Sequence, residues 1–136
     1  MHRKPTLATA MTPFPHAADV DAPAVEAEAL MKSHGIHHLP VTCDGRIVGM
    51  IGAHDLADRD THDWLVRDVY RSEPYIVELT APLENVLETM LARRIDSAIV
   101  VRQDKLAGIF TQIDVCRSYL ALLRECFPPP PDDDIA

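Results

Sequence analysis

The chain has 136 residues, 47% of them hydrophobic and 25% charged, with a formal net charge of −8. That balance predicts a single folded module with a real apolar core. An acidic surface argues against nucleic acid and anionic membrane as partners, because neither is drawn to it.

In chain order, residues 1–6 form a loose basic lead-in, and Leu7 to Met11 a short turn of helix. After Pro13 and Pro15, the segment Ala17 to Val20 has weak strand character. Asp21 is placed to cap a helix with Pro23 in its first turn, where a missing N–H costs nothing. Ala24, Ala27, Leu30 and Met31 recur at helical spacing, and Gly35 suits a left-handed cap. His37 to Thr42 and Arg46 to Ile51 read as strands joined by a tight Asp44-Gly45 turn. Gly52 to Leu56 opens a second helix, ending somewhere in the charged stretch from Asp58 to Asp63. Trp64 and Leu65 are expected to tuck the connection against the core.

The second half repeats this plan 59 residues later, without a gap. Pro15 falls on Pro74, Pro23 on Pro82, Met31 on Met90, Ile36 on Ile95, Gly49 on Gly108 and Asp55 on Asp114. Asp21 falls on Thr80, another capping residue. Tyr75 to Leu79 is a strand, and Leu83, Val86, Leu87, Met90 and Leu91 form an apolar helix stripe. Ser97 to Val101 and Lys105 to Phe110 make a hairpin. A final helix from about Gln112 to Cys126 outruns its first-half counterpart, with Tyr119, Leu120, Leu122 and Leu123 as spare apolar surface. The boundaries expected are residues 7–63 and 64–123, with 1–6 and 127–136 as flexible tails; Pro128 to Pro131 and Asp132 to Asp134 favour an extended end. One copy is too small to bury its own sheet face, so the two are expected to pack together.

Thr111 and Asp114 have the spacing of a helix capping pair at the end of a strand. The same corner leaves backbone N–H groups at the positive end of a helix dipole, which suits a phosphate. Spacing alone leaves both readings open.

Three cysteines (Cys43, Cys116, Cys126) form no CxxC pair, which argues for a reducing compartment without disulfides or a zinc cage. No apolar run long enough for a signal peptide or a membrane span is present, so a cytoplasmic protein is expected. His34, His37, His38, His54 and His62 raise a metal site, but strand neighbours such as His37 and His38 point to opposite faces, so no metal is expected. No Gly-x-Ser-x-Gly elbow and no base beside Cys43 supports nucleophilic catalysis. No enzyme activity is expected.

The ordered set of residues resembles a tandem pair of cystathionine-β-synthase (CBS) domains, a Bateman module. In the first half the resemblance is carried by Met11, Pro15, Asp21, Gly35-Ile36, His38-Leu39-Pro40-Val41, Asp44-Gly45, Ile47 to Ile51 and Asp55-Leu56. In the second it is carried by Val66 to Val69, Pro74, Ile76-Val77, Pro82-Leu83, Met90, Ile95, Ile99 to Val101, Gly108 to Thr111 and Asp114-Val115. The resemblance implies an α+β fold of two pseudo-two-fold-related β-α-β-β-α repeats packed sheet to sheet. It also implies a regulatory module that binds an adenosine-containing ligand (AMP, ADP, ATP or S-adenosylmethionine) between the repeats, needs no obligatory cofactor, and forms homodimers that signal to a regulated protein. The alternative is a structural or oligomerisation module with no functional ligand site.

Carried onto this chain, the family's Gly-x-x-Thr-x-x-Asp signature is Gly108, Thr111 and Asp114. Asp114 would take ribose hydroxyls and Thr111 phosphate. Tyr75, Ile76 and Val77 would hold the base, with Ser97 nearby. In the first repeat Gly52 replaces the hydroxyl, leaving Asp55, His54, His37 and His38 as a possible second, weaker site. Asp96, beside Ser97, would repel a long phosphate chain, which favours AMP or adenosine-like ligands, or a cationic one, over ATP.

Overall fold

A computed structural model describes residues 4–57 and 63–131. A one-turn 3-10 helix at Leu7–Thr9 precedes β1 (Thr12–Pro13) and β2 (Ala18–Asp19). Then come α1 (Ala24–His34), β3 (His38–Cys43), β4 (Arg46–Gly52) and α2 (Ala53–Leu56). A second 3-10 turn, Val66–Asp68, leads into β5 (Arg71–Ser72), β6 (Ile76–Glu78), α3 (Leu83–Arg93), β7 (Ser97–Arg102), β8 (Lys105–Thr111) and α4 (Gln112–Cys126). α2 ends at Leu56, with Ala57 already extended, short of the charged stretch in which its end was expected; residues 58–62, including Asp58 and His62, lie outside the described residues.

Two four-stranded sheets result, in the orders β2-β3-β4-β5 and β1-β8-β7-β6. Each contains one segment from the other half of the sequence. β1 runs antiparallel to β8, with Thr12 opposite Ile109, while β5 runs antiparallel to β4, with Arg71 opposite Met50. Backbone hydrogen bonds repeat the exchange. Leu7 N–H donates to Ala81 O and Ala8 N–H to Leu79 O, as Val66 N–H donates to Ala22 O and Arg67 N–H to Val20 O. Packing order therefore differs from sequence order, and Leu7 is buried in the second core while Val66 is buried in the first.

Alternation along each strand splits its side chains between layers. Ala98 and Val100 of β7 join Phe110, Val86 and Met90 in the second core. Ile99 and Val101 point the other way, joining Met50 and Ile109 in a cluster that draws on both repeats, with Ile36, Ile47 and Leu106 packed against it. Shared burial of this cluster joins the two halves alongside the exchanged strands.

The hairpin turns use left-handed pairs, Asp44 with Gly45 and Gln103 with Asp104, and the helix caps Gly35 and Arg94 are left-handed as well. The N-caps expected of Asp21 and Thr80 are not formed. α1 and α3 begin after Pro23 and Pro82 without a side-chain cap, and Asp21 instead pairs with Arg67 on the exchanged segment. The connection is held by its backbone, with Ala24 N–H donating to Trp64 O at 2.8 Å, and the Trp64 and Leu65 side chains lie at the surface while Val66 is the buried anchor.

Candidate functional site

The chemistry collects at two corners, where β8 turns into α4 and β4 turns into α2. At the first, Asp114 is the third residue of α4 and is only 2% exposed. Its Oδ2 accepts the Thr111 N–H at 2.9 Å, which closes the helix start. Its Oδ1 accepts the Thr12 hydroxyl at 2.6 Å and an Arg117 N–H at 2.9 Å. A buried carboxylate is tolerable only with this degree of pairing. The Gln112 N–H donates to Asp96 O at 3.2 Å. Two of the amides expected to attract a phosphate are thus already bonded within the protein.

The second corner follows the same plan with different groups. Asp55 Oδ2 accepts the Gly52 N–H at 2.9 Å, and Oδ1 accepts Arg71 Nε at 3.0 Å. Arg71 occupies the position that Thr12 holds in the other sheet. Its guanidinium also reaches His54 Nε2 at 3.0 Å. The Ala53 N–H donates to His37 O at 2.8 Å, matching the Gln112 bond.

Each corner opens on a cavity. The Asp114 cleft, about 490 Å³, is lined by Thr12, residues 34–38, Asp96, Thr111 and Arg117 among others. The Asp55 cleft, about 780 Å³, is lined by Gly52, His54, Arg71, Tyr75, residues 93–97 and His38 among others. Each cleft therefore joins the capped corner of one repeat to the helix–strand loop of the other. The exchanged strand supplies the residue that bonds the carboxylate.

This arrangement regroups the residues expected from the sequence. Thr111 and Asp114 face His37 and His38, not Tyr75 and Ser97. Tyr75 and Ser97 line the Asp55 cleft, Tyr75 from before β6 and Ser97 from the start of β7. Arg93 lies 5.4 Å from the centroid of the Tyr75 ring, a cation–π contact. Ile76 lines a third cavity with Thr42 and Ile47, and Val77 packs into the second core, so neither reaches a corner. Gly108 acts through the backbone: a Cβ there would sit 2.2 Å from Thr12 O, so glycine lets β1 approach. Gly49 has the same relation to Arg71 O, also at 2.2 Å. His37 moves to the Asp114 cleft, and His38 lines both.

Sequence reasoning missed Thr12 and Arg71 as partners of the two carboxylates. The 59-residue register aligns them, but only strand exchange brings them to the aspartates. His16, His34 and Phe14 were also unforeseen as a group. Their rings lie 5.1–5.7 Å apart beside the Asp114 cleft. Among the described residues no group of three or more His, Cys, Asp or Glu side chains is placed to hold a metal ion. Among them, too, no helix is long and apolar enough to cross a membrane.

His38 stands between the clefts. Its Nε2 is buried without a hydrogen-bond partner among the described residues, 3.9 Å from Asp96 Oδ2. Burial pushes its proton affinity down, partly offset by the Asp96 carboxylate.

A family model described as CBS domain matches residues 7–61 and 66–121. The chain belongs to the CBS domain family. Its CBS pair is similar to CBSX2 of Arabidopsis thaliana, whose structure in complex with AMP is 26% identical, covering 88% of this chain and 99% of that one at a TM-score of 0.72. The CBS domain of a bacterial CNNM/CorC family Mg2+ transporter, in complex with ATP, is also 26% identical, covering 85% and 87% at a TM-score of 0.71. Inosine-5'-monophosphate dehydrogenase of Korarchaeum cryptofilum is 30% identical over 91 residues, which is 66% of this chain but 19% of that enzyme. The match thus spans about a fifth of that enzyme's length.

Proposed function

We propose that this CBS pair is a regulatory module that takes an adenosine-containing ligand in the Asp114 cleft and passes its occupancy to a regulated protein not yet identified. The observation that carries the reading is the buried Asp114 carboxylate at the wall of that cleft, tied to Thr12 and Arg117, in a family whose members have been seen with AMP and ATP. A ribose diol can replace the Thr12 and Arg117 donors on Oδ1, since a carboxylate accepts several hydrogen bonds. Freed from Asp114, Arg117 is then available to a phosphate. Thr111, in the same wall, supplies a hydroxyl. His34, which lines the same cleft, offers a ring against which a base can stack.

Among AMP, ADP, ATP and S-adenosylmethionine, AMP- or adenosine-like ligands fit best, because Asp96 also lines the cleft and opposes a long phosphate chain. The Asp55 cleft is the weaker candidate. Arg71 already holds its carboxylate, and Gly52 offers no hydroxyl, although Tyr75, Arg93 and Arg94 give it a stacking ring and positive charge.

A thermal-shift panel of adenosine, AMP, ATP and S-adenosylmethionine tests the reading. A ligand at a hundred times its Kd stabilises the fold by about 2.7 kcal/mol. An unmoved midpoint with every compound, or a shift that survives Asp114→Asn, would falsify it.

The exposed apolar face of α4, with Tyr119, Leu120, Leu122 and Leu123, supports a homodimer, and would serve equally a structural module whose clefts bind nothing. The three cysteines are free, which fits a reducing, cytoplasmic setting.

A further inference from the structure

We propose that His38 and Asp96 form one partition shared by both clefts, and that the proton on this pair sets how much phosphate charge either cleft accepts. This rests on the nucleotide reading above and adds a selectivity device to it.

Both residues line both cavities. His38 comes from the start of β3 in the first sheet, and Asp96 from the loop before β7 in the second. The repeat does not duplicate the pair: the register sets Asp96 against His37, and Ser97 against His38. The partition is thus a property of this chain's asymmetry. Among the described residues His38 Nε2 has no hydrogen-bond partner, and Asp96 Oδ2 lies 3.9 Å from it. That gap is too long for a hydrogen bond and close enough for a charged pair to form with a small side-chain movement.

With His38 neutral, the Asp96 charge is unopposed within the partition and repels a ligand phosphate on either side. When Nε2 takes a proton from water, the imidazolium and the carboxylate neutralise one another, and the repulsion falls. Other charged groups face His38 too. On α2 these are His54, whose ring centroid is 6.4 Å away, and Asp55; His37 is its chain neighbour. Arg71 of β5 holds both His54 and Asp55, so the α2 side is already locked in pairs. That leaves Asp96 as the carboxylate whose pairing the His38 proton decides. Burial disfavours the imidazolium, so the partition switches on the acid side of neutrality. Linkage runs both ways: a bound phosphate must raise the proton affinity of His38.

The test is calorimetric titration of the full chain with AMP and with adenosine, at about pH 5.5 and about pH 8. The readout is the ratio of the two affinities, which removes contributions from base and ribose. In the parent protein, acidification raises the preference for AMP by roughly three- to tenfold relative to His38→Gln, in which the phosphate's own titration is the same. Asp96→Asn prefers AMP at both pH values. Asp96 is half-exposed, so this variant keeps the fold if His38→Gln does not. An NMR titration of His38 adds a ligand-free readout, and its proton affinity drops in Asp96→Asn. Equal pH profiles in all three proteins, or an unchanged His38 titration in Asp96→Asn, overturn the partition while leaving nucleotide binding in place. Absence of any binding of AMP or adenosine overturns the nucleotide reading and this proposal with it.

Discussion

The Thr12 hydroxyl donates to Asp114 Oδ1 at 2.6 Å across 102 residues of sequence. Arg71 makes the corresponding bond to Asp55 across 16. Both donors sit on strands exchanged between the repeats, so each helix start is tied to a segment from the opposite half. Thr12→Val removes the donor while keeping the shape. It should lower stability by about 1 kcal/mol and increase exchange of the amides at the start of α4. Urea midpoints and amide exchange would check this; an unchanged midpoint with unchanged protection would mean that the bond contributes nothing.

The close approach of β1 to β8 depends on Gly108. A Cβ there would meet Thr12 O at 2.2 Å, a backbone atom with no room to retreat without loss of strand pairing. Gly108→Ala should cost roughly 1–3 kcal/mol. The control is Gly49→Ala, which meets Arg71 O at the same distance and should show a similar loss. A tolerant Gly108→Ala in denaturant unfolding would show that β1 does not depend on this contact.

Stability should depend on His38 in a defined direction. Burial lowers its proton affinity in the folded chain below the ordinary value of 6.5. The unfolded chain therefore binds its proton first as pH falls. The stabilisation from neutral His38 is complete above about pH 6.5 and is lost as pH drops below that value towards the folded-state pKa. His38→Gln should flatten this part of the profile. Urea midpoints of both proteins at about pH 5.5 and about pH 7.5 measure it, and parallel profiles would exclude His38 as the source.

The outer face of α4 carries the assembly prediction. Leu120→Glu combined with Leu123→Glu places charge on an exposed apolar face without touching either core. Light scattering should show a dimer in the parent chain and a monomer in the variant, with a melting temperature reduced only by the lost association. If parent and variant have the same mass, α4 is not the contact.

Much of the architecture was legible because local chemistry and global fold agree. Asp44-Gly45 dictates a hairpin, Gly35 ends a helix, and the 59-residue register carries Gly49 onto Gly108 and Asp55 onto Asp114. The boundaries of the six expected strands fell within a residue or two for the same reason, since alternation and turn residues are local signals, whereas the two-residue strands β1 and β5 carried no such signal and were missed. The capping residues were less legible. Asp21 and Thr80 had the right types, but helices started by Pro23 and Pro82 left them outside, and Asp21 found Arg67 instead.

By itself the sequence determined the doubled unit and the two aspartates that open helices, because period, turn chemistry and capping spacing are properties of neighbours along the chain. Only the tertiary structure decided which residues share a cleft. Thr12 and Arg71 carry no local mark of their role, and Tyr75 and Ser97 lie close to Asp114 in the unit plan yet face Asp55 in the fold. For Thr12 and Arg71 the reason is strand exchange: hydrogen bonding of β1 to β8 and β5 to β4 moves two short segments into the opposite sheets; Tyr75 and Ser97 face Asp55 because packing of the repeats sets them against the corner of the first. No pattern within a segment as short as β1 or β5 records which strand of the opposite half it pairs with. Packing of the two repeats likewise decided that His38 Nε2, without a hydrogen-bond partner among the described residues, stands beside an aspartate of the other repeat.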